Sequence, residues 1–218
     1  MAIDAVIFDL DGVLIDSERI WNQARMQVAT EEGGRWRPDA QRAMMGMSSL
    51  EWSEYMQQTL GVRMSKEQIS EAVVSRLRDL YTEQLPLIPG APEAVSAIAQ
   101  LWPLALASSA NRSIIELVID LSGLHGTFAA TVSSEEVPRG KPAPDVYLET
   151  ARRLGVLATR CAAIEDSSNG LRSAAAAGMT VIAIPNLDFP PADDALDLAS
   201  DVLDSITQLT PTRIERLT

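Results

Sequence analysis

The chain has 218 residues, of which 46% are hydrophobic and 22% are charged, as in an ordinary globular protein. Its formal net charge of −12 argues against nucleic acid or an anionic membrane as a partner, because both recruit Lys and Arg. No apolar run approaches the roughly 18 residues that a membrane span needs, and the N-terminus lacks the basic flank of a signal peptide. With Cys161 as its single cysteine, the chain makes no internal disulfide. We therefore expect a cytoplasmic protein.

The first predicted element is a short strand that ends in acidic residues. Residues 5–8 form an apolar run of the kind that a fully buried parallel strand needs. Because side chains alternate along an extended chain, Asp9 and Asp11 are expected to point the same way. Two neighbouring carboxylates repel unless they share a cation, and oxygen ligands suit Mg²⁺. Gly12 allows a sharp turn that brings amide groups close to an anion, although an ordinary acidic turn is the alternative interpretation.

The next part of the chain is predicted to be all-helical. The expected helices cover residues 17–32, 38–45, 48–60 and 65–85. Ser65 and Gln68 have the spacing of a capping box, which opens the last of them. Since no strand-like run interrupts these residues, we expect a helical cap domain at 17–85. The core domain is then formed by residues 1–16 and 86–218.

After residue 85 the pattern changes to helices that alternate with short apolar strands. The expected strands cover residues 104–107, 129–132, 161–164 and 180–184, with a weaker one at 201–203. The expected helices cover residues 93–101, 112–121, 144–154 and 171–177. This alternation predicts an α/β fold with a doubly wound parallel sheet.

Three of the predicted strands are followed by polar residues. These residues are Asp9 and Asp11, Ser108 and Ser109, and Glu165 and Asp166. The carboxyl ends of parallel strands meet at one edge of a sheet, so we expect these groups to converge, with the loop that carries Lys141 beside them. Carboxylates for a cation, a hydroxyl group and one ammonium group are the parts that phosphoryl transfer requires.

In this order the segments resemble the four motifs of the haloacid dehalogenase superfamily of phosphohydrolases. The matching residues are Asp9-Leu10-Asp11-Gly12, Ser108, Lys141-Pro142 and Glu165-Asp166. The helical insert is similar to the cap of the branch that contains β-phosphoglucomutase and sugar-phosphate phosphatases. The resemblance covers essentially the whole chain and implies a Rossmann-like core that hydrolyses a small phosphorylated metabolite, such as a sugar or polyol phosphate.

The resemblance also implies roles for the catalytic residues. Asp9 would be the nucleophile and would form an aspartyl-phosphate. Asp11 would protonate the leaving oxygen and then take a proton from the water that hydrolyses the intermediate. Lys141 would neutralise charge on both Asp9 and the phosphate.

A metal site and a phosphate site follow from the same resemblance. The implied Mg²⁺ ligands are the Asp9 carboxylate, the Asp11 backbone carbonyl and Asp166, with Glu165 either binding the ion or supporting its ligands. The implied phosphate ligands are Gly12, Ser108 and Lys141. Ser109 is a further phosphate ligand or a cap of the helix that follows.

Differences within the family narrow the activity. A dehalogenase does not need Asp11, and Lys66, the one candidate for the Schiff-base lysine of a phosphonate-cleaving relative, is explained by the capping box. β-Phosphoglucomutase carries a histidine and an arginine where this chain has Trp21 and Ser49, so a phosphatase is favoured over a mutase. A catalytically silent binding protein is the remaining alternative, and the complete set of motifs argues against it. The predicted substrate contacts of the cap are Trp21, Met47 and Ser48.

Overall fold

The opening strand lies in the middle of a parallel sheet. The computed structural model describes residues 2–45 and 47–217. The strands of its six-stranded sheet are β1 (Ala5–Phe8), β2 (Leu104–Ser108), β3 (Phe128–Ser133), β4 (Cys161–Glu165), β5 (Thr180–Ala183) and β6 (Asp201–Val202). All neighbours are parallel in the order β3-β2-β1-β4-β5-β6, which is the order of a doubly wound sheet. The predicted fold class is confirmed.

Helices fill the chain between β1 and β2 and alternate with the strands after β2. Between β1 and β2 these are α1 (Glu18–Glu31), α2 (Ala40–Met44), α3 (Ser49–Gln58), α4 (Lys66–Glu83) and α5 (Ala91–Ala99). Later helices are α6 (Arg112–Leu121), α7 (Asp145–Leu154), α8 (Ser168–Ala176), α9 (Asp193–Leu196) and α10 (Pro211–Glu215). The helical insert is thus present, whereas its division from the core at residues 17 and 85 stays a prediction.

The sheet is buried on both faces because successive residues of each strand point to opposite sides. On β1, Val6 and Phe8 belong to the cluster that continues into the helical insert, α5 and α6. Ala5 and Ile7 belong to a second cluster, which packs against α7 and α8. Burial of all four residues explains why the strand is uniformly apolar and ends where the first carboxylate begins.

The register of the central strands positions the polar residues that follow them. Phe8 of β1 pairs with Leu106 of β2 on one side and with Ile164 of β4 on the other. Asp9 donates its backbone N–H to the Ile164 carbonyl at 3.0 Å, so it lies beside the end of β4. The three polar strand ends therefore meet where the winding of the sheet reverses, which is the binding edge of open α/β folds.

Helix caps set the start of the longest helix of the insert. Ser65 caps α4: its hydroxyl accepts from the Gln68 backbone N–H, and the Gln68 side chain accepts from the Ser65 backbone N–H. This capping box is the one that the sequence predicts. Within the part of the chain that the structure describes, no helix has both the length and the apolar character to span a bilayer.

Removal of this cap gives a stability prediction. The variant Ser65→Ala loses the acceptor for a helix N–H, so we expect its free energy of unfolding to fall by about 1 kcal/mol in urea titrations. The control is Ser75→Ala, at an exposed position within α4, which should change the value by less than about 0.5 kcal/mol. Equal stability of Ser65→Ala and the unaltered protein would contradict the capping role.

Candidate active site

The centre of the site is a buried ammonium group between two carboxylates. Lys141 Nζ lies 2.9 Å from Asp9 Oδ1 and 2.6 Å from Glu165 Oε1. The side chains of Lys141, Asp9 and Glu165 are 2%, 9% and 0% exposed, so water screens these attractions little. Lys141 also donates to the Ala107 carbonyl of β2 at 3.0 Å. The lysine thus joins the ends of three neighbouring strands.

Protein groups occupy both carboxylate oxygens of Glu165. Oε1 accepts from the Tyr147 hydroxyl at 2.7 Å as well as from Lys141, and Oε2 accepts from the Asp166 backbone N–H at 3.1 Å. The carboxylate also fills the space beside Gly170, where a Cβ atom would lie 1.9 Å from Glu165 Cδ. Glu165 therefore orients Lys141 and has little capacity left for another cation.

Burial and crowding shift the protonation of these groups. Burial raises the pKa of Asp9 to about 8, although Lys141 opposes the shift. Burial, with repulsion from Glu165 and Asp9, holds the pKa of Asp166 well above its usual range. Burial also acts to lower the pKa of Lys141, but Asp9 and Glu165 outweigh it and raise this pKa above the ordinary lysine value. The lysine therefore stays charged, whereas the ionised form of the carboxylates is disfavoured unless a further cation is bound.

The acidic residues form a cluster that fits a divalent metal ion. Oxygen atoms of Asp9, Glu165 and Asp166 lie within 4.8 Å of one another, and the three residues are buried. Carboxylate oxygens are the preferred ligands of hard divalent ions, and such an ion offsets the repulsion that raises the pKa values. Because Glu165 is already engaged, Asp9 and Asp166 are the carboxylates with capacity to bind it.

Gly12 makes room for a carboxylate of this cluster. Its backbone φ is +78°, and a Cβ atom there would lie 1.9 Å from Asp166 Oδ2. The Gly12 N–H donates to the Ile15 carbonyl at 2.8 Å. This amide is thus used within the turn, and the contact of Gly12 with phosphate stays a prediction. Its contribution is the close approach of Asp166.

The insert holds the second acid of the opening motif. Asp11 Oδ1 accepts from the Ser17 hydroxyl and from Trp21 Nε1, the latter at 3.0 Å. Both donors follow β1 on the way into α1 or on its first turn. Trp21 is one of the predicted cap residues, and its contact is with an acidic side chain of the core motif. A motion of α1 would therefore change the surroundings of Asp11 directly.

The serines after β2 differ in position. Ser108 is fully buried and its hydroxyl accepts from the Ala110 backbone N–H at 3.0 Å, which leaves its proton available to an acceptor. Ser109 lines the cavity beside Asp9, together with Ala110. Both predicted positions thus lie at the edge that carries the carboxylates.

A cavity connects the core motifs with the insert. Its lining comprises Asp9, Asp11, Glu18, Trp21, Arg25, Met45, Met47, Trp52, Ser109, Ala110, Lys141, Asp166 and Ser167. Its volume of about 50 Å³ holds a few water molecules, so a sugar-sized ligand enters only when the insert moves away from the core.

The structure separates the predicted cap residues. Trp21 and Met47 line this cavity, but Ser48 does not. Ser48 is the N-cap of α3, and its hydroxyl donates to the Glu51 carboxylate at 2.7 Å. Ser48 thus has a structural role in a capping box, and its contact with substrate stays a prediction. Gly46, which precedes Met47, lies outside the described residues.

Comparison with known proteins assigns the family. Residues 3–178 match the model of the haloacid dehalogenase-like hydrolases. The chain belongs to this hydrolase family. Hexitol phosphatase B of Escherichia coli K12 is 36% identical over 94% of each chain, and the phosphorylated carbohydrates phosphatase of Thermotoga maritima is 32% identical over 81% of this chain and 82% of the relative. The resemblance read from the four motifs is confirmed.

Solved structures support the fold of this hydrolase. CbbY from Rhodobacter sphaeroides, solved with phosphate, superposes with a TM-score of 0.86 at 24% identity and covers 98% of this chain and 99% of its own. β-Phosphoglucomutase from Clostridium difficile gives a TM-score of 0.85 at 24% identity, over 99% and 96%. At this identity the likeness concerns the fold alone, including the helical insert between the first two strands.

Two charged residues that line the cavity of this hydrolase are not among the site residues predicted from the sequence. Glu18 and Arg25 lie on the same face of α1 as Trp21, three residues before it and four residues after it. Charged residues at helical spacing are normally a solvated face, so the sequence alone gave no reason to select them. The signal that could have found them is their alignment with Trp21, which follows the opening motif on the same helix.

The contact of Glu165 with Gly170 predicts an unusual effect of alanine. A Gly-to-Ala change within a helix normally stabilises a protein by about 0.4–1 kcal/mol. In Gly170→Ala the methyl group displaces the Glu165 carboxylate from Lys141, so we expect the free energy of unfolding to fall by at least about 2 kcal/mol.

Gly123→Ala is the control, because Gly123 has a φ of +73° and no atom within 4 Å of its Cβ position. Its free energy of unfolding should fall by only about 1–2 kcal/mol, because the alanine introduces backbone strain at this φ. Urea unfolding of both variants is the measurement. Wild-type or higher stability of Gly170→Ala would show that the Glu165 contact is unimportant.

Proposed function

We propose that this hydrolase is a Mg²⁺-dependent phosphatase that cleaves sugar or polyol phosphates through an aspartyl-phosphate on Asp9. The observation that carries the proposal is the buried Lys141 ammonium 2.9 Å from Asp9 Oδ1. A dianionic phosphate approaches a carboxylate only where cations offset the repulsion. In a chain with a net charge of −12, this arrangement favours the approach of an anion at one carboxylate.

The proposed reaction has two displacements at phosphorus. An Asp9 oxygen bonds to phosphorus while the bond from phosphorus to the leaving oxygen breaks, and Asp11 gives its proton to that oxygen. Water then attacks phosphorus, Asp11 takes the water proton, and Asp9 leaves as a carboxylate. The hydrogen bonds from Ser17 and Trp21 support this role of Asp11, because they fix one oxygen and leave the other for proton transfer.

The remaining motif residues position the phosphoryl group and the metal ion. Asp9, the Asp11 backbone carbonyl and Asp166 would hold Mg²⁺, which supplies positive charge to the phosphoryl oxygens. Ser108, Ser109 and Lys141 would bind those oxygens, with Glu165 fixing the position of the lysine ammonium. The buried acidic cluster supports the choice of a hard divalent ion.

The substrate class rests on the relatives and on what the chain lacks. Relatives that share 32–36% identity over most of their length are named for hexitol and phosphorylated carbohydrate substrates, and fructose-1-phosphate phosphatase YqaB of Escherichia coli K12 is 32% identical over 81% of this chain. Ser49 stands where mutases have a phosphate-gripping arginine, and it is buried rather than presented to the cavity. Hydrolysis is therefore preferred over transfer to a second position.

Phosphate release from a panel of compounds tests the proposal. The panel contains sorbitol 6-phosphate, fructose 1-phosphate, 2-phosphoglycolate, a nucleotide and both anomers of glucose 1-phosphate, each with Mg²⁺ and with EDTA. We expect metal-dependent release, strongest with a sugar or polyol phosphate. Conversion of glucose 1-phosphate to the 6-phosphate without release would favour the mutase, and no reaction with any compound would favour a silent binding protein.

The variant Asp9→Asn tests the nucleophile. An amide keeps the size of the side chain but is a poor nucleophile, so we expect kcat to fall at least about a thousandfold with an unchanged circular dichroism spectrum. Asp79→Asn, at an exposed position of α4, is the matched control and should retain activity. Full activity of Asp9→Asn would refute the assignment.

The variant Asp11→Asn tests the acid and base. Its amide oxygen still accepts from Ser17 and Trp21, so we expect a folded protein that binds Mg²⁺ in calorimetry but turns over about a hundredfold or more slowly. With p-nitrophenyl phosphate, whose leaving group needs no proton, stopped-flow kinetics should show a burst of nitrophenolate before slow turnover. Unchanged steady-state kinetics would remove Asp11 from this role.

A further inference from the structure

The first helix of the insert carries a charged pair that faces the catalytic cavity and is not used by the proposed chemistry. Arg25 is 5% exposed, and its guanidinium carbon lies 4.7 Å from the ring centre of Trp21 and 5.2 Å from that of Trp52. The two indole rings lie edge to face, with centres 6.1 Å apart. Two aromatic rings thus lie beside the cation.

Both members of the pair have unused hydrogen-bonding atoms. Arg25 Nε is buried and donates to none of the described residues, and Glu18 Oε2 is buried and accepts from none of them. No ion pair within 4.0 Å joins the two side chains in the described structure. Because buried polar groups without partners are costly, this donor and this acceptor are available to a molecule that enters the cavity.

The electrostatic balance of the cavity restricts what that ligand is. Its lining contains four carboxylates, Asp9, Asp11, Glu18 and Asp166, against two cations, Lys141 and Arg25. A divalent metal ion would offset the excess of negative charge, and the dianionic phosphoryl group of a substrate would restore that excess. A second anionic group on the leaving part would then lie against Glu18 with no cation of its own, since Arg25 already balances Glu18. Burial raises the pKa of Glu18 to about 7 although Arg25 opposes the shift, so Glu18 carries its full charge, and repels a second anion, above that pH.

We infer that Glu18 and Arg25 are specificity-determining residues, which bind neighbouring hydroxyl groups of an uncharged leaving part and exclude leaving parts that carry a second anion. A hydroxyl group accepts from the Arg25 guanidinium and donates to the Glu18 carboxylate, so a pair of adjacent hydroxyls satisfies both. This inference rests on the proposed phosphatase function. It selects, within phosphate esters, those of neutral polyhydroxylated compounds.

Three phosphate esters separate recognition from chemistry. Sorbitol 6-phosphate has an uncharged polyhydroxylated leaving part, 2-phosphoglycolate has a carboxylate, and p-nitrophenyl phosphate has neither. The quantity that decides is the ratio of kcat/KM between sorbitol 6-phosphate and p-nitrophenyl phosphate. Hydrogen bonds to charged groups predict that this ratio falls about ten- to a hundredfold in Arg25→Met and in Glu18→Gln, mainly through KM.

The carboxylate substrate tests the sign of the effect. Glu18→Gln removes the repelling charge, so kcat/KM for 2-phosphoglycolate should rise at least about fivefold relative to p-nitrophenyl phosphate. Arg25→Lys keeps the charge but loses the flat guanidinium edge, so it should also lower the ratio of kcat/KM between sorbitol 6-phosphate and p-nitrophenyl phosphate. Arg78→Met, at an exposed position of α4 that does not line the cavity, is the matched control and should leave every ratio unchanged.

The outcomes distinguish this inference from the function on which it rests. Failure of the unaltered protein to release phosphate from any ester refutes the phosphatase. If the Glu18 and Arg25 variants lose the same factor in kcat/KM on all three esters, the two residues support the structure or Asp11 and do not recognise the leaving part. That result overturns the inference. A wild-type preference for 2-phosphoglycolate over sorbitol 6-phosphate also overturns it.

Discussion

The site depends on one buried ammonium group shared between two carboxylates. Lys141 reaches the end of the sheet from a loop, and its contacts with Asp9 and Glu165 join the side chains at the carboxyl ends of β1 and β4. A buried charge is tolerated only with partners, and each of these three groups would be strongly destabilising alone. The arrangement that supports phosphate binding is therefore also a structural tie, and stability and activity depend on the same residues.

Glycine completes this centre at two positions where a side chain would displace an acid. Gly12 admits Asp166 and Gly170 admits Glu165, each at less than 2 Å from where a Cβ atom would lie. Both carboxylates can then lie close to Asp9, despite their mutual repulsion. Burial first, and repulsion among the carboxylates second, raise the pKa values of Asp9 and Asp166, and a divalent cation bound there would oppose both effects.

The charged residues that the insert contributes to the cavity, Glu18 and Arg25, both lie on α1. Along α1, the first turns bring Trp21 to Asp11 and Arg25 to the two indole rings, so one rigid element carries both the support of the acid and the surface that faces the leaving part. Since the closed cavity holds only a few water molecules, substrate binding and release require this helix to move. A motion of α1 would change the hydrogen bond that Trp21 donates to Asp11.

Most of the fold and the core of the site follow from the sequence, because strand ends and breaks in apolar runs are local signals. The predicted strands at 104–107 and 161–164 are each one residue longer in the structure, and the helix at 112–121 is found as predicted. Convergence of Asp9, Lys141 and Glu165 was predictable from the parallel topology.

What was not predictable depends on contacts between elements. Gly170 is unremarkable within its helix until the Glu165 carboxylate is placed beside it. Arg25 is an ordinary helical cation until Trp52, from another helix, packs against it. Ser48 is a polar residue next to the cavity-lining Met47, and the hydrogen bond from its hydroxyl to Glu51 at the start of α3 is seen only in the structure.

Direct identification of the phosphorylated residue tests the central claim. The protein is mixed with Mg²⁺ and its best substrate from the panel, quenched in acid within the first turnover and reduced with borohydride, which converts an aspartyl-phosphate to homoserine. Peptide mass spectrometry should find homoserine at position 9 and aspartate at position 11. Phosphate release in the same sample with aspartate unchanged at position 9 would contradict the account.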